Sequence, residues 1–220
     1  MILDKLMKPF RKIYRKLYRL KINNDMKNKL LNDKFTIFSS NCTGGVISHD
    51  LGCRFYSPTV NFYFMAKDYV RFFSNLEHYL SCSLKEYDGT ESLDCGYPIA
   101  LIDDIKAFLV HYKNFEEFKA IWNKRKQRVI KNSIFFIWND RDGFTDEMLE
   151  EYAKLPYPKV FFSHKPYPQY DFVVYLPEFK DDDCVGVLTG YSDVYGYKWY
   201  DKHFDVVAWL NGNNVKDCLR

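Results

Sequence analysis

The sequence predicts an α/β protein: a three-layer sandwich with a mostly parallel or mixed sheet, preceded by a basic N-terminal helix. The first observation behind this prediction is that short apolar runs, rich in β-branched and aromatic residues, alternate with segments of helical spacing. The second is the order of these segments, because strands that alternate with helices pair in parallel and are covered on both faces. The third is a concentration of basic residues at the start of the chain.

The basic residues define an N-terminal extension. Residues 1–34 carry 11 Lys and Arg against 3 Asp, a net charge of +8, whereas residues 35–220 carry a net charge of −5. Pro9 is expected to break the helix, so that the helix proper begins there. We predict a basic amphipathic helical extension over 1–33 and a single α/β domain over 34–220. The apolar residues of the extension recur every three or four positions: Leu6, Phe10, Ile13, Leu17 and Leu20.

Two interpretations of this extension remain open. A basic amphipathic helix can lie on an anionic membrane surface through residues 1–30, where each basic residue adds about 1 kcal/mol near the lipid. Alternatively, the helix packs on its own domain and leaves its basic face in water. Nucleic acid is not predicted as a partner, because no recognised nucleic-acid-binding motif accompanies the charge.

Composition limits the kinds of protein to which this chain can belong. The 19 Phe and 18 Tyr predict a thick aromatic core, although a tyrosine-lined sugar cleft is an open alternative. The six cysteines are irregularly spaced without a Cys-x-x-Cys pair, so no structural metal site is predicted. No cofactor is predicted either. No secretory signal and no apolar stretch of about 18 residues is present, which predicts a cytoplasmic protein with reduced thiols.

Local sequence patterns predict the strands and helices of the α/β domain. Strands are expected at 35–40, 59–64, 97–102, 107–112, 133–138, 159–163 and 172–176. Helices are expected at 46–51, 65–80, 115–125, 145–155 and 198–210. Asn114 is the expected N-cap of the third of these helices, with Glu116 and Glu117 in its first turn. Residues 81–97 are expected to form a polar excursion or a hairpin, and 140–143 a turn.

Residues 35–52 concentrate the candidate chemistry, because a buried strand leads through a polar turn and a Gly pair into a short helix. Cys42 lies in this turn, where the helix dipole and unpaired amides are expected to lower the pKa of its thiol. Gly44 and Gly45 would let those amides approach an oxyanion. One alternative is that Cys42 is simply a small buried residue in a tight turn. Another is that the loop binds phosphate or pyrophosphate at the helix N-terminus through Ser39, Ser40, Asn41, Thr43 and the two glycine amides.

A cysteine acyl-transfer site needs a histidine base and a polar group that orients it. His111 ends a predicted strand, where open α/β sheets bind ligands, and His49 follows Cys42 on the short helix. The alternative for His111 is a structural hydrogen bond to the next loop. Asp103 and Asp104 are expected to supply a carboxylate to the base or to hold a divalent metal, with only one of the two facing the site.

Several of these segments resemble a known family. They include Ser-Ser-Asn-Cys-Thr-Gly-Gly-Val-Ile-Ser-His-Asp-Leu-Gly over 39–52, and Phe-Glu-Glu-Phe-Lys-Ala-Ile-Trp over 115–122, followed by Arg125 and Arg128. The others are 57–62, 97–98, 101–105 and 110–112. Together they resemble a bacterial family of uncharacterised proteins usually labelled exopolysaccharide or capsular polysaccharide biosynthesis proteins. The resemblance covers roughly residues 34–215 and implies a pathway and an α/β architecture but no reaction. It implies that the positions to test are Asn41, Cys42, Asp103, Asp104, His111, Trp122 and Arg125.

The leading prediction is a cytoplasmic transferase, peripheral at the inner face of the membrane, that acts on a glycan or a lipid-linked sugar precursor. In its most concrete form, Cys42 is the nucleophile of an acyl transfer, His111 or His49 is the base, and the amides of 43–45 form the oxyanion hole. The residues predicted to bind substrate are Ser40, Asn41, Thr43, Gly44, Gly45, Trp122 and Arg125.

Two other functions remain open on the sequence. One is a glycosyl- or phosphosugar transferase that binds a sugar nucleotide through the 39–45 loop, with Asp103 or Asp104 holding a metal. The other is a non-enzymatic accessory protein of polysaccharide assembly that binds partners or glycans through aromatic side chains.

Overall fold

A computed structural model describes residues 2–89 and 95–220, with side chains from residue 11 onward. Residues 90–94 of the predicted polar excursion therefore lie outside the described residues. The described strands are β1 (Thr36–Ser39), β2 (Leu84–Glu86), β3 (Ile99–Ile102), β4 (Ile105–Phe108), β5 (Ile134–Asn139), β6 (Lys159–Ser163) and β7 (Val173–Tyr175). The described α-helices are α1 (Ile2–Lys29), α2 (Thr43–Asp50), α3 (Ala66–Ser74), α4 (Leu76–Ser81), α5 (Phe115–Lys126), α6 (Asp146–Ala153), α7 (Trp199–Lys202) and α8 (Val206–Leu210). Short 3₁₀ helices lie at Pro177–Phe179 and Val215–Cys218.

The main sheet is parallel, with the strands in the order β1, β5, β6, β7. Ile37 pairs with Phe135 across the first strand pair, and Phe136 pairs with Lys159 across the second. Every residue of β1 and β5 is buried, which is the pattern of strands covered on both faces. The predicted α/β fold with a mostly parallel sheet is confirmed.

The connection from β1 to β5 carries a second sheet, in which β2, β3 and β4 pair in antiparallel fashion. The prediction of a strand at 59–64 is wrong, and a bridge between Tyr63 and Phe108 joins this segment to the end of β4 instead. Pro58 has no N–H to donate, and Asn61 has a positive φ of 70°, so the segment cannot form a regular ladder.

Two helices that were predicted as continuous are interrupted. The segment 65–80 forms α3 and α4, separated at Asn75, which has φ −138° and ψ 54°. The segment 198–210 forms α7 and α8. The side chain of Asp205 begins α8 by accepting a hydrogen bond from the N–H of Ala208 at 3.1 Å. Short polar side chains interrupt helices in this way because they compete with the backbone for its hydrogen bonds.

Aromatic side chains fill much of the core. Trp138 on β5 contacts the rings of Phe73, Tyr152 and Phe161, with ring centroids 5.3–5.8 Å apart and edge-on geometry. Such edge-to-face pairs add about 0.5–1.5 kcal/mol each beyond the area they bury. The aromatic excess of the sequence therefore serves the core, as predicted from composition.

Helix α1 is continuous, without the expected break at Pro9. Its second half is attached to the body by a buried set of side chains, the Arg19 cluster, which consists of Arg19, Asp50, Lys198, Tyr200 and Asp201. The guanidinium of Arg19 donates to Asp50 at 2.7 Å and to Asp201, and the ammonium of Lys198 donates to Asp50 at 2.6 Å. None of the helices in residues 2–89 and 95–220 is long and apolar enough to cross a bilayer.

Candidate active site

The candidate site lies at the carboxyl edge of the parallel sheet. Because parallel strands all end at the same edge, the residues that follow them share one crevice, and this is where open α/β sheets bind ligands. The segment after β1 contains Asn41 and Cys42, and the segment after β5 contains Arg141 and Asp142. The β1–β5 pairing places these two segments side by side.

A cleft of about 480 Å³ opens at this edge, within the usual range for small-molecule sites. It brings together Cys42 and His111, the nucleophile and base predicted from sequence. Cys42 comes from the end of β1, whereas His111 comes from the loop after β4, so the cleft joins the two sheets. The residues that line it are Asn41, Cys42, Thr43, Tyr63, Val110, His111, Arg141, Asp142, Val187, Leu188 and Thr189.

The turn before α2 is held by Asn41. Its side-chain oxygen accepts hydrogen bonds from the N–H of Thr43 at 3.1 Å and from the hydroxyl of Thr43 at 2.7 Å. This is the local arrangement by which Asn fixes a turn two residues ahead of itself. It places Cys42 at the N-cap of α2 with its backbone already in a helical conformation. Asn41 and Thr43 therefore shape the site, and both line the cleft.

The thiol of Cys42 has the opposite pKa shift from the one predicted. Burial raises its pKa above the ordinary value, and the hydrogen bond from the backbone N–H of Asn61 only partly opposes this. Burial is therefore the larger of these two effects. At neutral pH Cys42 is a protonated thiol, so its use as a nucleophile depends on a base that removes the proton during attack.

Asn61, which contacts Cys42, has an unusual backbone. It has a positive φ of 70°, a conformation that only a few per cent of non-glycine residues adopt. This conformation is the one in which its N–H reaches the sulfur of Cys42. Strained backbone of this kind is found preferentially at functional sites.

The two predicted oxyanion glycines have a packing role. A Cβ on Gly44 would lie 2.7 Å from Cγ2 of Ile37, and a Cβ on Gly45 would lie 2.9 Å from Cγ1 of Val60. Their absence of side chains lets α2 approach β1 and the 57–60 segment closely. Both residues are in the first turn of α2, where peptide N–H groups have no intrahelical acceptor. Both glycines are buried, and neither is among the residues that line the cleft.

Arg125 supports the cleft from behind. Its guanidinium donates to the hydroxyl of Tyr112 at 3.2 Å, and this hydroxyl donates to the carbonyl of Val60 at 2.8 Å. Tyr112 is buried beside His111, and burial, with a smaller effect of nearby Cys42, raises the pKa of its hydroxyl. Arg125 thus fixes the wall that carries His111, and it is not among the residues that line the cleft.

The structure separates Asp103 and Asp104 from the cleft. They form the turn between β3 and β4, which precedes β4, whereas His111 follows it. Asp103 contacts His78 at 2.8 Å, and Asp104 accepts hydrogen bonds from Arg71 and from the hydroxyl of Tyr79. Neither carboxylate is among the residues that line the cleft with His111.

Three other predicted residues lie outside the cleft. His49 is on the last turn of α2, with its side chain 77% exposed and 3.4 Å from Asp50. Ser40 is buried at the end of β1. Trp122 is fully buried and packs against Phe62 and Phe118, so it belongs to the core and offers no surface to a substrate.

The structure adds residues that were not predicted. Tyr63, Arg141, Asp142 and Thr189 line the cleft beside Cys42. Burial raises the pKa of Asp142, against the opposing charge of Arg141. The sequence signal for Arg141 and Asp142 was their position directly after the strand at 133–138, but the same pattern is also typical of an ordinary turn. The segment is indeed a turn, and it lines the cleft as well.

The loop that carries Thr189 is held by a buried carboxylate. Asp140 accepts hydrogen bonds from the N–H of Val185 at 2.8 Å, from Nδ1 of His164 at 2.5 Å and from the hydroxyl of Ser163 at 3.0 Å. Both Asp140 and His164 are less than a tenth exposed. This network ties the ends of β5 and β6 to the 185–189 segment and so positions one wall of the cleft.

Residues 13–211 match the family described as Domain of unknown function (DUF1919). The chain is also 35% identical over 209 residues to a Haemophilus influenzae protein named "Uncharacterized protein". That match covers 93% of this chain and 99% of the relative. The family match begins inside α1 and includes the whole cleft. The chain therefore belongs to the DUF1919 family of domains of unknown function.

Proposed function

We propose that this protein is an acyltransferase of exopolysaccharide or capsular polysaccharide biosynthesis, with Cys42 as nucleophile and His111 as general base. The acceptor is a hydroxyl group of a glycan or of a lipid-linked sugar precursor. The observation that supports the proposal is that Cys42 and His111, from separate sheets, line one cleft at the carboxyl edge. The glycan is inferred from the sequence resemblance, whereas the acyl transfer is inferred from the cleft.

The donor in this proposal is an acyl thioester. His111 accepts the thiol proton of Cys42 while the sulfur attacks the carbonyl carbon of the donor. The donor C–S bond then breaks, and the leaving thiolate takes the proton from His111. In the second step the acceptor hydroxyl attacks the acyl-Cys42 carbonyl, and His111 takes the hydroxyl proton. The bond to Cys42 breaks and its sulfur is reprotonated, which yields an ester and a free thiol.

Other residues of the cleft fit this chemistry. A buried neutral thiol needs a base close by, because its raised pKa keeps it protonated at neutral pH. The N–H groups of Gly44 and Gly45 are the donors for the oxyanion that forms in each step, because the N–H of Thr43 already donates to Asn41. Arg141 places a cation at the same edge, suited to an anionic group on the donor.

The proposal predicts a covalent intermediate on Cys42. After incubation with a panel of acyl-coenzyme A thioesters, intact-mass and peptide mass spectrometry should find the acyl group on the peptide that contains Cys42. Cys42→Ala should give no such adduct, and His111→Gln should form it more slowly, since no base removes the proton. Cys53→Ala is the matched control, because Cys53 is also half-buried but lies outside the cleft. An adduct that is absent from the wild type, or unchanged in Cys42→Ala, contradicts the proposal.

We further propose that α1 holds this enzyme on an anionic membrane. Ile13, Leu17 and Leu20 form one row on the helix, and each is 57–60% exposed. With 100° per residue, this row faces away from Arg19, which points into the body. These three residues are therefore not used for packing on the domain, whereas Met26 further along the same helix is buried in the core and Ile22 packs against it. An exposed apolar row of this kind is typical of an interaction surface.

The charges beside this row fit anionic lipid. Lys16 and Lys21 are exposed and border the row on its two sides, and Tyr14 adds an exposed ring of the type that favours the membrane interface. A second copy of the chain would bring the same positive charge against the row, which disfavours self-association. Phosphate of nucleic acid fits poorly because the row itself is apolar.

The membrane proposal predicts that the full chain sediments with phosphatidylcholine vesicles containing phosphatidylglycerol and much less with phosphatidylcholine alone. Leu17→Ser should weaken the binding at least about tenfold, because a buried leucine contributes about 1.5–3 kcal/mol. Leu31→Ser is the control, since Leu31 is 83% exposed but outside the row. Equal binding by the two variants, or no preference for anionic vesicles, would refute the proposal.

A further inference from the structure

A cluster of three metal-ligating side chains lies where α4 meets the turn between β3 and β4. The Nε2 atom of His78 lies 2.8 Å from a carboxylate oxygen of Asp103 and 3.5 Å from the sulfur of Cys82. All three ligand atoms lie within 4.8 Å of one another. The cluster is separate from the Cys42 cleft and is used by nothing in the proposed reaction.

We propose that His78, Cys82 and Asp103 bind Zn²⁺. A tetrahedral zinc ion takes nitrogen, oxygen and sulfur at about 2.0–2.3 Å, which puts neighbouring ligand atoms about 3.3–3.7 Å apart. The distances from Nε2 to the oxygen and to the sulfur differ from this by half an ångström or less. Small rotations of exposed side chains are enough to close the difference, since His78 and Asp103 are about half exposed.

The set of donors selects zinc over other common divalent ions. A thiolate and an imidazole are ligands for zinc, whereas Mg²⁺ and Ca²⁺ take oxygen ligands. One thiolate and one carboxylate also balance the charge of the ion when the imidazole is neutral. With three protein ligands at the surface, the fourth position is open to water.

The site has a structural consequence. His78 is on α4 and Cys82 follows its last residue, four positions later and on the same side, whereas Asp103 belongs to the hairpin turn. Zinc would therefore tie α4 to the β3–β4 hairpin. The sequence analysis predicted no structural metal site because no two cysteines have the close spacing of paired zinc ligands. It could not detect a ligand 25 positions away from His78.

The test is titration of the full chain with Co²⁺, which replaces zinc in tetrahedral thiolate sites and gives a sulfur-to-cobalt charge-transfer absorption and visible ligand-field bands. The wild type should show both sets of bands, and Zn²⁺ should abolish them. Cys82→Ser should lose the charge-transfer absorption, and His78→Gln should bind at least about 100-fold more weakly, because even outer-shell changes weaken metal binding 10–100-fold. Melting temperature should rise with Zn²⁺ in the wild type but not in Cys82→Ser.

Cys53→Ser is the matched control, because Cys53 is half-buried and outside the cluster. It should keep the full cobalt spectrum and the zinc-dependent stabilisation. The proposal is overturned by absence of the charge-transfer absorption in the wild type, by its persistence in Cys82→Ser, or by its loss in Cys53→Ser. Acylation of Cys42 is measured separately, so neither result depends on the other.

Discussion

Asp140→Ala is expected to lower the free energy of unfolding by about 3–5 kcal/mol, the range for removal of one partner from a buried polar network. The carboxylate accepts hydrogen bonds from the N–H of Val185, the N–H and ring Nδ1 of His164, and the hydroxyl of Ser163. Alanine would leave these buried donors without an acceptor, and water has little access because Asp140 is 6% exposed. Urea unfolding measured by circular dichroism gives the difference.

The same substitution should disturb the cleft, because Asp140 anchors the segment that carries Thr189. Acylation of Cys42 should therefore slow under conditions in which the variant is still folded. Asp181→Ala is the control, because Asp181 is exposed, and its effect should stay within about 0.5 kcal/mol. If Asp140→Ala lowers the free energy of unfolding by less than about 1 kcal/mol, the Asp140 hydrogen bonds do not hold the 185–189 segment in place.

Asp50→Ala is expected to be similarly destabilising, by about 3–5 kcal/mol, because it leaves Lys198 without its carboxylate partner and Arg19 with Asp201 alone. Asp50 accepts hydrogen bonds at 2.6–2.7 Å from Arg19, Lys198 and the hydroxyl of Tyr200. Arg19 is buried at the contact between α1 and the body, and the side chain of Lys198 is 11% exposed. The variant should also release α1, which limited trypsin digestion detects as faster cleavage within the helix.

The Arg19 cluster also predicts a dependence on pH. Burial alone would raise the pKa of Asp50, but the hydrogen bond from Lys198 and the charge of Arg19 outweigh it and hold that pKa below the ordinary value. Stabilisation by Asp50 is therefore complete above about pH 4, the pKa of an unfolded aspartate, and is lost as the pH falls through the lower folded value. The gap in stability between the wild type and Asp50→Asn should narrow only below pH 4.

Asp25→Ala provides the control on the same helix, since Asp25 is exposed on α1. Its unfolding free energy and trypsin sensitivity should match those of the wild type within about 0.5 kcal/mol. If Asp50→Ala behaves like Asp25→Ala, the buried charges do not attach α1 to the body.

Elements with a local cause were predictable from the sequence. β6 occupies the predicted positions 159–163, and β5 differs from its prediction by one residue at each end, because continuous apolar runs define buried strands. Asn114 caps α5 as predicted, accepting a hydrogen bond from the N–H of Glu117 at 2.9 Å. The prediction of a strand at 59–64 was wrong because the segment has the apolar content of a strand, whereas Asn61 has a turn-like backbone with positive φ.

The candidate site was predictable only in part. Strand ends of a parallel sheet meet at one edge, which is why Cys42 could be placed correctly. His111 was predicted to end a strand at 107–112, and this was wrong, because β4 ends at Phe108 in the antiparallel sheet and His111 lies in the loop that follows. Asp103 could not be placed, because that depended on which end of the β3–β4 hairpin faces the cleft. The direction of the Cys42 pKa shift could not be predicted either, because it depends on how deeply the thiol is buried and not only on its position at the start of a helix.

By itself, the sequence determined the α/β class, the basic amphipathic character of α1 and the turn that carries Cys42. These follow from residue patterns over a few positions, and such patterns act through local backbone and solvent preferences. Only the tertiary structure decided that α1 turns Arg19 inward and its apolar row outward, and that His111 rather than Asp103 meets Cys42. It also brought Asp103 to His78 and Cys82. Contacts between residues far apart in the chain depend on packing and register, which no local pattern contains.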